Sequence, residues 1–251
     1  MYYRPSDTPP WSRLRRWAYV ATLVILWTVV WGTVGLSFGC DPDDSTDLDI
    51  VDETHIPSSA TTTSYNEAIR AGTKKLLNLS DYQGAIKDFD EAIRLEPQNA
   101  VAYFNRGTAY LYLGLADLAS EKLEHALEAF VEVLANYDQA ISLDPEYADA
   151  YGSRGAAYVY LEKYELAIQD YTEAIRIEPL AANAYEGRGY AYAYLEKYER
   201  AIEDYTEAIR IEPLAAELYA ARAALYDALV DPQRSIQDRE TACELDKQYC
   251  D

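Results

Sequence analysis

The chain has 251 residues with 49% hydrophobic side chains and only ten prolines and eleven glycines, which excludes disorder throughout. Its formal net charge is −21; residues 1–40 are +3 (Arg4, Arg13, Arg15 and Arg16 against Asp7), which leaves −24 on residues 41–251. So acidic a surface repels phosphates and anionic headgroups and excludes nucleic acid as a partner, while both solubility and attraction of basic partners account for it.

All four tryptophans (Trp11, Trp17, Trp27, Trp31) lie in the first forty residues. From Trp17 to Phe38 runs an uncharged stretch of 22 residues, and at about 1.5 Å per residue a helix of that length crosses a hydrocarbon core of roughly 30 Å. Arg13, Arg15 and Arg16 precede it and an acidic stretch follows, so the positive-inside bias sends the remainder of the chain out of the cytoplasm. Leu36-Ser37-Phe38-Gly39-Cys40 resembles the bacterial lipobox, in which a small residue precedes a cysteine that becomes lipid-modified and amino-terminal. Gly39-Cys40 fits; Ser37 and Phe38 stand where that pattern more often has Leu and a small residue. Two outcomes stay open, a lipoprotein attached through Cys40 or an uncleaved single-pass anchor, and both place the remainder extracytoplasmically in a bacterial envelope. Residues 41–63, with six aspartates and a Ser/Thr run, read as an acidic flexible linker.

Residues 148–181 and 182–215 agree at 27 of 34 positions. The period places Tyr151, Gly155, Tyr158, Ala167, Tyr171, Ala174 and Pro179 in register with Tyr185, Gly189, Tyr192, Ala201, Tyr205, Ala208 and Pro213. Small residues at positions 8, 20 and 27 let two antiparallel helices approach, aromatics at 4, 11 and 24 fill the space between successive pairs, and proline at 32 stops the second helix. The pattern resembles the tetratricopeptide repeat, and the resemblance covers most of residues 64–251. It implies an all-α, right-handed α-solenoid of about five helix-turn-helix repeats, preceded here by the membrane segment. One such pair cannot bury its own apolar faces, but stacked pairs can.

The first copy spans residues 66–99, with a capping box at Ser64-Tyr65-Asn66-Glu67 that predicts the helix start at Ser64. The second, residues 100–147, carries a 14-residue insertion. Matching Leu113–Ala119 to Leu161–Ala167 assigns the extra length to the second helix, from about Asp117 to Leu143. Leu123, Leu127, Phe130, Leu134, Tyr137 and Ile141 then form a heptad seam, which either packs on the chain's own helices or is an assembly edge for a partner or second copy. The last copy, residues 216–247, has Ser235 and Arg239 where Ala and an aromatic are expected, as a terminal cap requires, and Asp231-Pro232 opens its second helix.

The resemblance implies that first helices line a concave groove through positions 2, 5, 6, 9, 12 and 13. Five of the seven differences between the sister copies fall there: Asp149/Asn183, Gly152/Glu186, Ser153/Gly187, Ala156/Tyr190 and Val159/Ala193. This concentration points to a retuned ligand surface, with drift at exposed positions as the alternative. Tyr112, Tyr160 and Tyr194 form a ladder at position 13 with Phe104 and Tyr190 nearby, and such rings either recognise peptide or cover neighbouring helices. Asp149, Glu186 and Glu217 make the same side acidic, so a partly basic, partly apolar protein segment is the expected ligand. Arg70, Lys74 and Asn105 resemble part of the clamp by which some relatives hold acidic chaperone tails, but Asp149 and Ser153 replace its other cations. Arg106, Arg154, Arg188 and Arg222 at position 7, with Asp88, Asp170 and Asp204 at position 23, read as hydrogen-bonded pairs between helices.

The only histidines are His55 and His125, and no metal-ligand spacing, glycine-rich phosphate loop or nucleophile–base pair occurs in the sequence. No cofactor and no catalysis are expected. Cys243 and Cys250 would lie about 10.5 Å apart on one continuous helix, too far to bridge, but a tail folding back after Asp246 allows a disulfide. The leading reading is a membrane-tethered adaptor that captures protein segments in its groove; the rival is an assembly subunit that self-associates or joins a complex through the Leu123–Ile141 seam, and an enzyme stands third.

Overall fold

The computed structural model describes residues 59–78 and 80–250, which are helical apart from short turns. Among the described residues ten α-helices follow in five antiparallel pairs: α1 Ser59–Asn78 and α2 Tyr82–Leu95; α3 Ala100–Ala119 and α4 Leu123–Leu143; α5 Ala148–Tyr160 and α6 Tyr164–Ile177; α7 Ala182–Tyr194 and α8 Tyr198–Ile211; α9 Ala216–Ala228 and α10 Pro232–Leu245. A 3₁₀ turn, Lys247–Tyr249, closes the described chain. No helix among the described residues is long and apolar enough to cross a membrane. The apolar run at residues 17–38 and Cys40 lie outside the described residues.

Each helix starts and stops for local reasons. Asp81, Asn99 and Asp231 cap α2, α3 and α10 by accepting from the backbone N–H groups of Gly84, Val101 and Arg234, and Pro232 occupies the first turn of α10. Inside every pair the turn contains a non-glycine residue in the left-handed region: Ser80, Glu121, Glu162, Glu196 and Val230, with φ from 49° to 60°. The next residue donates its N–H back to a carbonyl near the helix end, as in Lys163 to Tyr158 at 2.8 Å and Lys197 to Tyr192 at 2.9 Å, which closes the first helix as a Schellman motif.

Two expectations need correction. The first helix begins at Ser59, so Ser64 lies inside it and residues 59–63 are helical rather than linker. The 14-residue insertion is shared between both helices of the second pair: α3 has 20 residues against 13 in α5, and α4 has 21 against 14 in α6. The turn lies at Ser120–Lys122, where Lys122 donates to the Asp117 carbonyl at 2.8 Å. Leu113–Ala119, matched above to a turn, continues α3, and Gly114 is a buried helical residue against Ala129 and Phe130.

The core runs between helices as a column of small residues and rings. Ala85, Ala167, Ala174, Ala201 and Ala208 are fully or almost fully buried, and the position 24 rings Phe89, Tyr137, Tyr171 and Tyr205 fill the gaps between pairs. Gly155 and Gly189 face the Tyr171 and Tyr205 rings of their own pairs, where an added Cβ would lie only 3.2 Å from the ring. First helices of successive pairs contact one another, α1 with α3, α3 with α5 and α5 with α7, so they form the inner side of the stack.

A ladder of arginines ties the pairs together. Arg154 donates through Nε and Nη2 to both carboxylate oxygens of Asp170, at 2.7 Å each, and through Nη1 to Asp138 of the preceding pair at 2.6 Å. Arg188 and Arg222 hold Asp204 and Asp238 in the same bidentate way, and their Nη1 atoms reach Thr172 and Thr206 of the preceding pairs at 3.1 and 3.0 Å. Arg106 donates through Nε to the neutral Asn136 and through Nη1 to Asp90. In the first pair Lys75 takes the arginine's part as an ion pair with Asp88 at 2.6 Å. Each arginine also lies 5.6–5.8 Å from the ring three residues before it: Tyr103, Tyr151, Tyr185 or Tyr219.

Candidate binding groove

The inner side carries two kinds of residue that sequence alone had grouped together. Position 13 rings are partly structural. Tyr112 stacks on Tyr82 of the preceding second helix, with centroids 5.9 Å apart and planes 11° from parallel. Tyr160 is only 8% exposed and packs on Phe130, centroids 6.0 Å apart. This corrects two expectations at once: Tyr160 is not a groove surface and Phe130 is not an assembly edge, because each covers the other. Phe104 likewise sits against Tyr137 and Tyr147, and Asn105 donates to its own helix at the Val101 carbonyl. Leu134 is half-buried, whereas Leu123 and Leu127 are exposed.

Of the five divergent inner positions, two answer to packing. Ser153 is buried and supports the Tyr137 hydroxyl together with Thr108. Gly187, its counterpart, faces the Tyr171 ring, where an added Cβ would lie 2.6 Å from the phenolic oxygen. Val159 is buried. At the other three positions Asp149 is exposed, a Cβ added at Gly152 meets nothing within 4 Å, and the half-buried Ala156 gives way to the half-buried Tyr190 in the next pair. Tyr190 packs against Tyr194 with centroids 4.7 Å apart and planes tilted by 45°, and Tyr194 stacks on Tyr164 at 4.9 Å, so three rings form a continuous aromatic wall beside Glu186.

The electrostatics of the last three pairs are one-sided. Burial pushes the Glu186 carboxyl up to about 8, with further upward pressure from Glu217 and Glu212. Partial desolvation also raises the surface carboxyls of Glu212, again with Glu217 acting on it, and of Asp149, with Glu178 acting on it. Every charged group that moves Glu186 is itself acidic. Glu178 and Glu212 are the C-cap residues of α6 and α8, and sequence reasoning passed over them as the residues before Pro179 and Pro213. Among the described residues no group of three or more His, Cys, Asp or Glu side chains forms a metal site.

At the end of the stack Cys243 and Cys250 are joined by a disulfide with Cα atoms 4.6 Å apart. Helix α10 ends at Leu245, Asp246 caps the 3₁₀ turn, and the tail folds back. Burial raises the Tyr249 hydroxyl, followed by the charges of Glu217, Asp246 and Glu186, so this ring borders the acidic stretch.

This arrangement is a tetratricopeptide-repeat solenoid: the tetratricopeptide repeat model matches residues 148–179 and 182–213, and a further TPR repeat model matches residues 75–114. The fold is similar to that of MamA 41-end from Desulfovibrio magneticus RS-1, with TM-score 0.61 and 19% identity over 77% of this chain and 98% of that one. It is also similar to PilF of Pseudomonas aeruginosa (TM-score 0.61, 16% identity, 74% of this chain and 78% of that one). YrrB, described as a TPR protein with an unusual peptide-binding site, gives a TM-score of 0.56 at 17% identity over 75% of this chain and 93% of that one. No curated protein matches the sequence.

Proposed function

We propose that this chain is a membrane-tethered, non-catalytic scaffold that holds a partly basic, partly apolar protein segment against the inner faces of α5, α7 and α9. One observation carries the reading: the charge of Glu217 raises the proton affinity of both Glu186 and Glu212, and Glu212 adds to the rise at Glu186, beside the Tyr190–Tyr194–Tyr164 wall. A lysine or arginine placed among them relieves that repulsion, while the rings accept an adjacent apolar side chain at small entropic cost. The peptide-binding description of YrrB supports peptide capture as a use of this fold. Tethering rests on the uncharged run from Trp17 to Phe38 and on Gly39-Cys40, with the repeats outside the cytoplasm of a bacterial cell.

Fluorescence anisotropy with the full-length chain tests the groove. A labelled peptide alternating Lys or Arg with Leu or Phe should bind with micromolar affinity, weakened about tenfold by Tyr190→Ala or by Glu186→Gln with Glu217→Gln. Equal binding by those variants, or tighter binding of an Asp/Glu-rich peptide, sinks the reading. Fatty-acid labelling in a bacterial host tests the tether: label that disappears in Cys40→Ser marks a lipoprotein, an unlabelled membrane-bound chain marks an anchor, and recovery in the soluble fraction refutes both.

A further inference from the structure

The second pair carries a surface that the groove does not use. Helices α3 and α4 each run seven residues past their counterparts α5 and α6, which sets the hairpin tip about 10 Å beyond the turns of the neighbouring pairs. The tip's inner seam is closed by small residues: Gly114, Ala126 and Ala129 are buried, and a Cβ added at Gly114 would lie 3.3 Å from that of Ala129. Phe130 turns inward onto Tyr160. That leaves Leu123, Leu127 and Val131, which are 68%, 62% and 61% exposed. Their four-residue spacing places them on one face as a single stripe, and half-buried Leu134 continues it toward the body of the stack.

The border of the stripe is charged with one sign. Glu124 and Glu128 follow Leu123 and Leu127 directly, Glu121 and Glu132 lie beyond them, and all four are exposed. Lys122, the one lysine of the tip, is already paired with Asp117.

We propose that this stripe docks a helix of another protein that presents its own apolar stripe bordered by lysine or arginine. Leu123 to Leu134 spans about 16 Å, three turns that a partner helix can match ridge for groove, and the projecting arm leaves space for it alongside. The glutamate border chooses the partner's charge. A second copy would bring the Glu124 and Glu128 rows together on chains of net charge −21 each, and an anionic bilayer meets the same repulsion.

The test uses two synthetic helical peptides, identical in their Leu stripe and bordered by Lys in one and by Glu in the other, titrated against the full-length chain by anisotropy. The Lys peptide should bind at least tenfold more tightly than the Glu peptide. Leu127→Glu should weaken it about tenfold or more, Glu124→Lys with Glu128→Lys should reverse the preference, and the loss on Leu127→Glu should be the same in a Tyr190→Ala background, where the groove no longer competes for the peptide. Glu124, Leu127 and Glu128 are exposed, so the stripe variants retain the fold. No binding of the Lys peptide up to about 1 mM, or binding indifferent to Leu127→Glu, overturns the proposal. So does a dimer in sedimentation velocity, or adsorption to vesicles rich in phosphatidylglycerol, that Leu127→Glu abolishes.

Discussion

The third and fourth pairs are near-copies with 13- and 14-residue arms, whereas the second pair keeps their signature on arms of 20 and 21. Seven residues is close to two helical turns, so adding one heptad to each arm returns both helices to nearly the same rotational phase. The rings that meet neighbouring pairs, Tyr112 on Tyr82 and Phe130 on Tyr160, therefore stay in place below the extension. The contrast teaches that this architecture fixes phase and tolerates length, provided the length is added at the free end of the hairpin.

The largest expected difference between the pairs lies in their arginines. Arg154→Ala strands the buried Asp170 carboxylate and should lower stability by about 3–5 kcal/mol. Arg106→Ala leaves the neutral Asn136 and should lose about 1–2 kcal/mol. Urea unfolding compares the two, and equal losses would mean that the buried charge is not what separates these pairs.

Next come the glycines of the sister pairs. Gly187→Ala drives a Cβ into the Tyr171 ring and should destabilise by about 2–3 kcal/mol. Gly152→Ala enters open space in mid-helix and should stabilise by about 0.5–1 kcal/mol. Thermal unfolding that ranks them the other way contradicts the assignment of positions 5 and 6 to open groove and packed seam.

Shortening the second pair sharpens the comparison further. Removing residues 113–119 together with 123–129 joins Tyr112-Ser120-Glu121-Lys122-Phe130, the counterpart of Tyr160-Leu161-Glu162-Lys163-Tyr164. Unfolding should stay cooperative, with stability changed by less than about 2 kcal/mol. Removing residues 120–133 instead, which a single extension of the second helix would call for, deletes the turn and should abolish cooperative melting, as circular dichroism would record.

A further contrast is the pH response of the fourth pair. Glu186 binds its proton more tightly folded than unfolded, so its contribution is complete below about 4.5 and fades as pH rises through about 8. It keeps some contact with solvent, and screening by water holds the loss to about 1–2 kcal/mol. Glu186→Gln should flatten that slope, while Gly152→Glu at the matching site of the third pair should create one; denaturant titrations from pH 5 to 9 distinguish them.

Most of the fold was legible because the repeat is written in residue size: Gly155, Ala167 and Ala174 with Tyr158 and Tyr171 leave few other ways to pair helices. The turn of the second pair was misplaced because Leu113-Gly114-Leu115 reads as a loop, whereas the better signal was Glu121-Lys122, the same dipeptide as Glu162-Lys163 and Glu196-Lys197. In all three the Glu takes the left-handed conformation that ends the first helix. The groove was harder to read. Periodicity says that Tyr160 and Phe130 face inward from their own helices, but whether water or another ring meets them depends on the neighbouring pair. The acidic cluster was half visible, through Glu186 and Glu217, because Glu212 joins it only after the chain turns at Pro213.

The outermost nitrogen of each ladder arginine changes partner along the stack, from Asp90 and Asp138 at the first two junctions to Thr172 and Thr206 at the last two. Ionic rungs therefore splice the front of the array, and neutral rungs splice the back. In a one-dimensional chain of nearest-neighbour couplings the weaker splices part first under tension. A pull along the array would thus peel it from its carboxyl-terminal end, opening the acidic cradle before disturbing the long hairpin.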